Sequence, residues 1–371
     1  MISVSEPSSF EGFEVVNPLT EADWDRQVAG HPDATVYHSA AWAAVLVNTY
    51  GFLPKYLVQR RDGKADALLA FMEVYGIFGQ KRGISLPFTD CCPFLLPLGD
   101  SGRDLESRFL KPDKRVDSAV SSRFLAAAGV LARSQSWQQI EFRPKPDSDV
   151  PRSSSVLFAN HEVSLAETDE VQQKQCGSAT RRSLRQAQLA GLPMQIGSDL
   201  PLVQAYYRLH CLTRRRQGSP PQPWRFFANL HKWVLSKGFG FVVLAGDSPV
   251  AGAVFLRFGK RAVYKFGASD GRSLDTRPNQ RVMWTGLRHA ASLGCSWMDL
   301  GRSSLANEGL RRFKQGWGAI ETQLAYYCID LHKNRLNMLK DRTGGWQVNF
   351  FRRTPVWVSC LLGRLVYRFA A

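Results

Sequence analysis

The strongest constraint on the fold is an order of elements that occurs twice. A run from Lys55 to Arg61, the dipeptide Asp62-Gly63 and a run from Ala65 to Tyr75 read as a hairpin. Gly240–Leu244, Gly246-Asp247 and Val250–Arg257 read as another. Each hairpin leads into a third strand or edge, then a helix, then a strand. Gln138–Phe142 in the first half answers Trp297–Leu300 in the second, so the units lie roughly 160–185 residues apart. Antiparallel hairpins mixed with helical crossovers predict an α/β (α+β) chain, each unit a mixed, mostly antiparallel sheet flanked by helices.

The length of 371 residues allows two domains that each bury a core, and 44% hydrophobic residues make the chain globular rather than disordered. The expected division is 1–165, 166–335 and a basic, aromatic tail over 336–371. An excess of 48 Lys and Arg over 32 Asp and Glu, net +16, points to an anionic partner without choosing among nucleic acid, phosphorylated substrate and acidic membrane. Seven cysteines, Cys91 and Cys92 adjacent and the rest scattered, suggest neither a metal site nor a disulfide framework and fit a reduced cytosolic compartment. No secretory signal and no apolar run of about 18–20 residues is legible.

Smaller expectations follow from local chemistry. Thr20 is read as the N-cap of a first helix, and Ser39 as that of the next. Three prolines in Ile84–Pro97 exclude a regular central strand, which predicts a loop-rich edge lining a cleft. Val116–Ser134 is helical. Val171–Ala190 reads as one basic helix, Leu200–Arg216 and Arg225–Lys237 as two more. Thr354-Pro355 reads as a helix start, opening a short amphipathic helix in the tail.

The segments Tyr264-Lys-Phe-Gly-Ala-Ser-Asp270, Arg277-Pro-Asn279, Asp299-Leu-Gly-Arg302 and Gly309-Leu-Arg-Arg-Phe-Lys-Gln-Gly-Trp-Gly318 resemble the FemAB-like branch of the GNAT-fold acyltransferases. Ser85-Leu-Pro-Phe88 and Thr213-Arg214 fit as well. The resemblance spans about residues 35–330 and is most specific from Tyr264 to Trp317. It implies two tandem GNAT-like domains and transfer of an acyl or aminoacyl group onto an amine of a cell-envelope precursor. The co-substrate would be acyl-CoA or aminoacyl-tRNA, with no tightly bound cofactor and no metal. Two departures stand out. Thr276–Arg281, where a glycine-rich loop would cradle pyrophosphate, has no glycine. Ala43–Val47, after Trp42, lacks the lysine of members acting on nucleotide-linked muropeptides.

Lys314 is the leading catalytic candidate: its cation would stabilise an oxyanion or hold a phosphate, against the plain reading of a solvated lysine. Asp270 is either a general base at a strand end or the cap of the next turn. Arg302 faces a cleft or pairs with Asp299 or Asp270. Arg277 and Asn279 sit where donor phosphates would lie, though Asn279 also suits an N-cap. Arg214 and Arg225 flank a proline-rich loop that could take a phosphorylated acceptor, and Trp317 stacks on substrate or packs in the core. No His pairs with a Ser or Cys as a triad would require, so direct attack by the amine is the expected chemistry.

Residues 171–225 hold nine Lys and Arg and one acid, Asp199, which suits tRNA or a solubilising face equally. Interleaved Trp, Phe and Arg in 350–369 suit a peripheral contact of a cytoplasmic protein with the inner membrane surface, the alternative being packing on the second domain. The competing function is a degenerate, non-catalytic GNAT-fold module that binds an anionic glycan or RNA. A DNA-binding role finds no recognition-helix motif.

Overall fold

A computed structural model describes residues 12–97, 114–145, 154–339, 341 and 346–369. The first half runs β1 (Glu14–Val16), α1 (Trp24–Ala29), α2 (Ala40–Tyr50), β2 (Leu53–Pro54), β3 (Tyr56–Arg61), β4 (Lys64–Leu69), β5 (Met72–Tyr75), β6 (Lys81–Ile84), α3 (Lys114–Ser134), β7 (Gln139–Phe142) and β8 (Val156–Ser164). The second runs α4 (Asp169–Gln175), α5 (Ser178–Leu189), β9 (Met194–Gly197), α6 (Leu200–Gln217), α7 (Trp224–Trp233), β10 (Gly240–Ala245), β11 (Ala251–Phe258), β12 (Arg261–Ser269), α8 (Pro278–Ser292), β13 (Trp297–Asp299), α9 (Glu308–Gln315) and β14 (Ile320–Asp330). A short β15 (Arg335–Leu336) precedes α10 (Trp346–Arg353) and α11 (Val356–Val366).

Both hairpins form, the first for the expected reason; the second closes through the longer loop Gly246–Val250, where Gly246, at φ of 95°, takes the left-handed turn and Asp247 does not. Asp62 and Gly63 take φ of 51° and 74°, the left-handed pair that matches a two-residue turn to the twist of its strands. Ser39 caps α2 by accepting from the Trp42 N–H, and Asp199 caps α6 by accepting from that of Leu202. Local details differ. The first helix starts at Trp24 and not beside Thr20, whose hydroxyl turns back onto the Asn17 carbonyl. The single basic helix is two, because Cys176 is extended and the Gly177 N–H bonds the Gly316 carbonyl. Pro355 rather than Thr354 precedes the last helix, and the Thr354 hydroxyl bonds the Phe350 carbonyl.

The duplication is visible in the strand pairing. In the first unit β5 pairs antiparallel with β6, and β6 pairs parallel with β7 across the α3 crossover. In the second, β11 pairs antiparallel with β12, and β12 parallel with β13 across α8. Each unit then lends its last strand to the other. β8 pairs with β13 (Val163 opposite Met298), while β14 pairs with β7 (Phe142 opposite Tyr327). β8 and β14 also pair with each other, Asn160 opposite Thr322, which joins both units into one twelve-stranded sheet. Close packing holds the crossover down: a Cβ on Gly286 of α8 would lie 2.0 Å from the Phe255 ring of β11. Among the described residues, no helix is long and apolar enough to cross a membrane.

Candidate active site at the seam between the two units

The residues that converge do so where the exchanged strands meet. The proline-rich segment after β6 lies at this seam and not at an edge. Its Ser85 N–H bonds the Glu141 carbonyl and its Cys92 N–H that of Arg143, so it is pinned beside β7. Leu86 and Phe88 are held at φ of 51° and 61°, a costly conformation for side chains of that size. The distorted loop presents two groups, the Phe88 carbonyl and the Asp90 carboxylate.

Three cations from the second unit surround them. β12 carries a bulge: Tyr264 opposes Phe255 and Phe266 opposes Val254, leaving Lys265 as the extra residue. The Lys265 ammonium donates to the Phe88 carbonyl and lies 5.2 Å from the Tyr37 ring centre and 5.7 Å from that of Trp42. Arg302 follows β13; its Nε is 3.5 Å from Asp90 Oδ1 and its guanidinium lies 4.2 Å over the Phe158 ring. Lys314, on α9, is 3% exposed and donates to the Gly301 carbonyl at 2.6 Å and the Arg302 carbonyl at 3.0 Å. The Arg302 and Asp90 side chains are 39% and 30% exposed, so the pair faces solvent with Lys314 behind it.

The electrostatics separate two carboxylates. Burial works against ionisation of Asp90, but Lys265, Arg302 and Lys314 outweigh it and hold its carboxyl below the ordinary value. Asp299, at the end of β13, goes the other way. Burial and the Glu162 carboxylate opposite it in the sheet push it up to about 7, although the Gly301 N–H donates to it. Burial lowers Lys314 to about 8 against the pull of Asp90 and Asp299. The Tyr37 hydroxyl, buried beside these groups, has no hydrogen-bond partner among the described residues. Behind Asp299 a cavity of about 20 Å³, lined by Cys91, Glu162, Arg261 and Asp33 among others, has room for a single water molecule.

The raised Asp299 gives a stability prediction. The folded chain keeps a proton there that the unfolded chain, with an ordinary value of 3.8, has already released. Its contribution is therefore present at low pH and is lost as pH rises through about 7. Asp299→Asn, which can still accept from the Gly301 N–H, is expected to melt closest to the wild type near pH 4 and to gain on it as pH rises, standing a few degrees above it at pH 8. Thermal melts at the two pH values check this.

Of the residues singled out from the sequence, the structure brings Lys314 and Arg302 together, and Arg302 pairs with Asp90 rather than with Asp299 or Asp270. Asp270 stands seven residues beyond the last β12–β13 pair, Val263 with Asp299. It forms a turn with Arg272, whose side chain holds its carboxyl down at about 2, the geometry of the turn-cap reading. Arg214 bonds the Tyr367 hydroxyl at 3.0 Å and the Pro220 carbonyl, fastening the tail to the proline-rich loop. Arg225 is exposed. Arg277 is exposed as well and is itself the residue before α8, with φ of 52°; Asn279 lies within the first turn and is not the cap. Trp317 is fully buried against Phe313, in the core rather than on a substrate surface.

Asp90, Lys265 and Tyr37 were not singled out from the sequence. A signal existed for two of them: Thr89-Asp90 is a polar pair in an apolar segment, and Lys265 is a cation in the middle of an otherwise apolar stretch of strand.

Residues 175–315 match the acetyltransferase (GNAT) domain family. The fold is similar to that of FemX, at 13% identity over 84% of this chain and 96% of the other, with a TM-score of 0.64. It is also similar to a conserved protein of unknown function from Bacteroides thetaiotaomicron, at 12% identity over 85% and 98% of the two chains and a TM-score of 0.51. A tandem GNAT protein from the clavulanic acid biosynthesis pathway matches at 12% identity over 86% and 98%, with a TM-score of 0.47. No curated protein matches the sequence.

Proposed function

The chain has the FemAB-like GNAT fold, and from that premise we propose that it transfers an acyl or aminoacyl group onto an amino group of a cell-envelope precursor, a glycan, a peptidoglycan precursor or a lipid-linked intermediate. The observation that carries the reading is the ionised Asp90 ringed by Lys265, Arg302 and Lys314 at the seam. A carboxylate held below its ordinary value suits an incoming ammonium, which it can orient. A second carboxyl near 7 suits the proton that the amine must lose, so Asp299 takes the role of base. The amine then attacks the donor carbonyl, and the C–N bond forms as charge gathers on the carbonyl oxygen. Arg302 and Lys314 are the cations that answer that charge. The donor's thiolate or ribose oxygen departs and takes up a proton.

Acyl-CoA and aminoacyl-tRNA are the two proposed donors. The exposed Arg277 at the start of α8 is available to the phosphates of either, in place of a glycine cradle. The basic 171–225 region, with Arg225 exposed, would follow a tRNA backbone. The test uses labelled aminoacyl-tRNA and acyl-CoA panels with amine-bearing envelope precursors. Label should pass to an acceptor from one donor class. No transfer from either, together with retained binding of anionic glycan or RNA, would replace this reading with a non-catalytic binding module.

A further inference from the structure

The helix α11 is inside out. Its inward face, at i, i+4 and i+8, is Ser359, Gly363 and Tyr367, all buried. Gly363 sits so close to the proline-rich loop that a Cβ there would lie 2.1 Å from the Pro221 carbonyl oxygen. The outward face, at the same spacing, is Trp357, Leu361 and Leu365, and Trp357 is 72% exposed. An ordinary surface helix turns its large apolar residues to the core, and this one turns them to solvent. The tail thus packs inward through Ser359, Gly363 and Tyr367, the last against the Phe88 ring, and presents an apolar stripe outward.

A second exposed apolar element lies at the end of this helix. The turn between β5 and β6 carries Ile77 and Phe78, and Phe78 is 88% exposed. The two elements meet where Arg82, at the foot of that turn, donates to the Phe369 carbonyl at 3.5 Å. Around the stripe stand Arg353, Arg364 and Arg368, all exposed, and residues 346–369 contain no Asp or Glu.

We propose that α11 and the β5–β6 turn form one docking face for an anionic lipid bilayer, with the apolar side chains entering the interface and the arginines meeting lipid phosphates. Charge decides against a second copy of this chain as the occupant. A two-fold contact would set Arg364 and Arg368 against their own copies, with no carboxylate on the helix to answer them. The inference deepens the transferase reading and rests on it only for its purpose, the meeting with a lipid-linked precursor. The docking itself is measured without any transfer reaction.

The experiment is cosedimentation of the full chain with vesicles of phosphatidylcholine alone or with roughly a third phosphatidylglycerol, at low and high salt. The chain should bind the anionic vesicles and release in salt. Partitioning should fall at least about tenfold in Trp357→Ser/Leu361→Ser and several-fold in Phe78→Ser. Both variants change exposed side chains; should the helix variant melt early, the turn variant decides. Any of three results would overturn the proposal: wild type left in the supernatant, variants that bind like wild type, or a wild-type dimer in sedimentation velocity that Trp357→Ser/Leu361→Ser dissociates.

Discussion

Asp90→Asn is expected to lower transfer at least about 100-fold and to cost the fold about 3 kcal/mol. The substitution keeps the shape of the side chain and removes one charge, the one that Lys265, Arg302 and Lys314 all face. Three cations then share the seam with one carboxylate fewer, and the repulsion among them is felt where burial already disfavours the charge on Lys265 and Lys314. The stability loss falls at the low end of the range for an uncompensated buried charge because Asp90 is 30% exposed and water screens part of it. Activity falls further than stability, since an acceptor ammonium loses the carboxylate that orients it. Steady-state rates with urea denaturation measure the two effects separately. A variant that transfers at the wild-type rate would remove the seam from consideration as the active site.

The features legible in the sequence are those fixed by neighbours along the chain. The Asp62-Gly63 turn, the Ser39 cap and the crossover helices depend on a few adjacent residues, and so they could be read. The motif from Asp299 to Lys314 was legible for a related reason. Lys314 reaches back thirteen residues to the Gly301 carbonyl, within one contiguous stretch. The exchange of β8 and β14 was not legible, because pairing between strands about 160 residues apart is set by the whole sheet. Asp90 was missed for the same cause. The polar pair Thr89-Asp90 marks the place, but it becomes significant only when this loop of the first unit is laid against the cations of the second, which lie far along the chain. Arg302 shows the two regimes together: its place after a strand was readable, and its partner was not.

Lys314→Met is the variant that separates holding the site from acting in it. In the wild type the ammonium bridges the Gly301 and Arg302 carbonyls, and Gly301, at φ of 75°, makes the turn that brings Arg302 onto Asp90. A Cβ on Gly301 would lie 2.6 Å from Asp90 Oδ2, so the turn is pressed against the carboxylate it serves. Methionine keeps much of the length of the side chain and leaves two buried carbonyls without their donor, about 2 kcal/mol or more of lost stability. If Lys314 only holds the turn, kcat/KM should fall through misplacement of Arg302, with the shape of the pH profile unchanged. As a cation that answers the developing oxyanion, it should also give the wild-type rate a limb that declines above about pH 8, where its lowered value lets the proton go. That limb is expected to vanish in Lys314→Met along with at least about 100-fold of the rate. A wild-type rate that stays level to pH 10 would assign Lys314 to the turn alone and leave Arg302 as the cation nearest the chemistry.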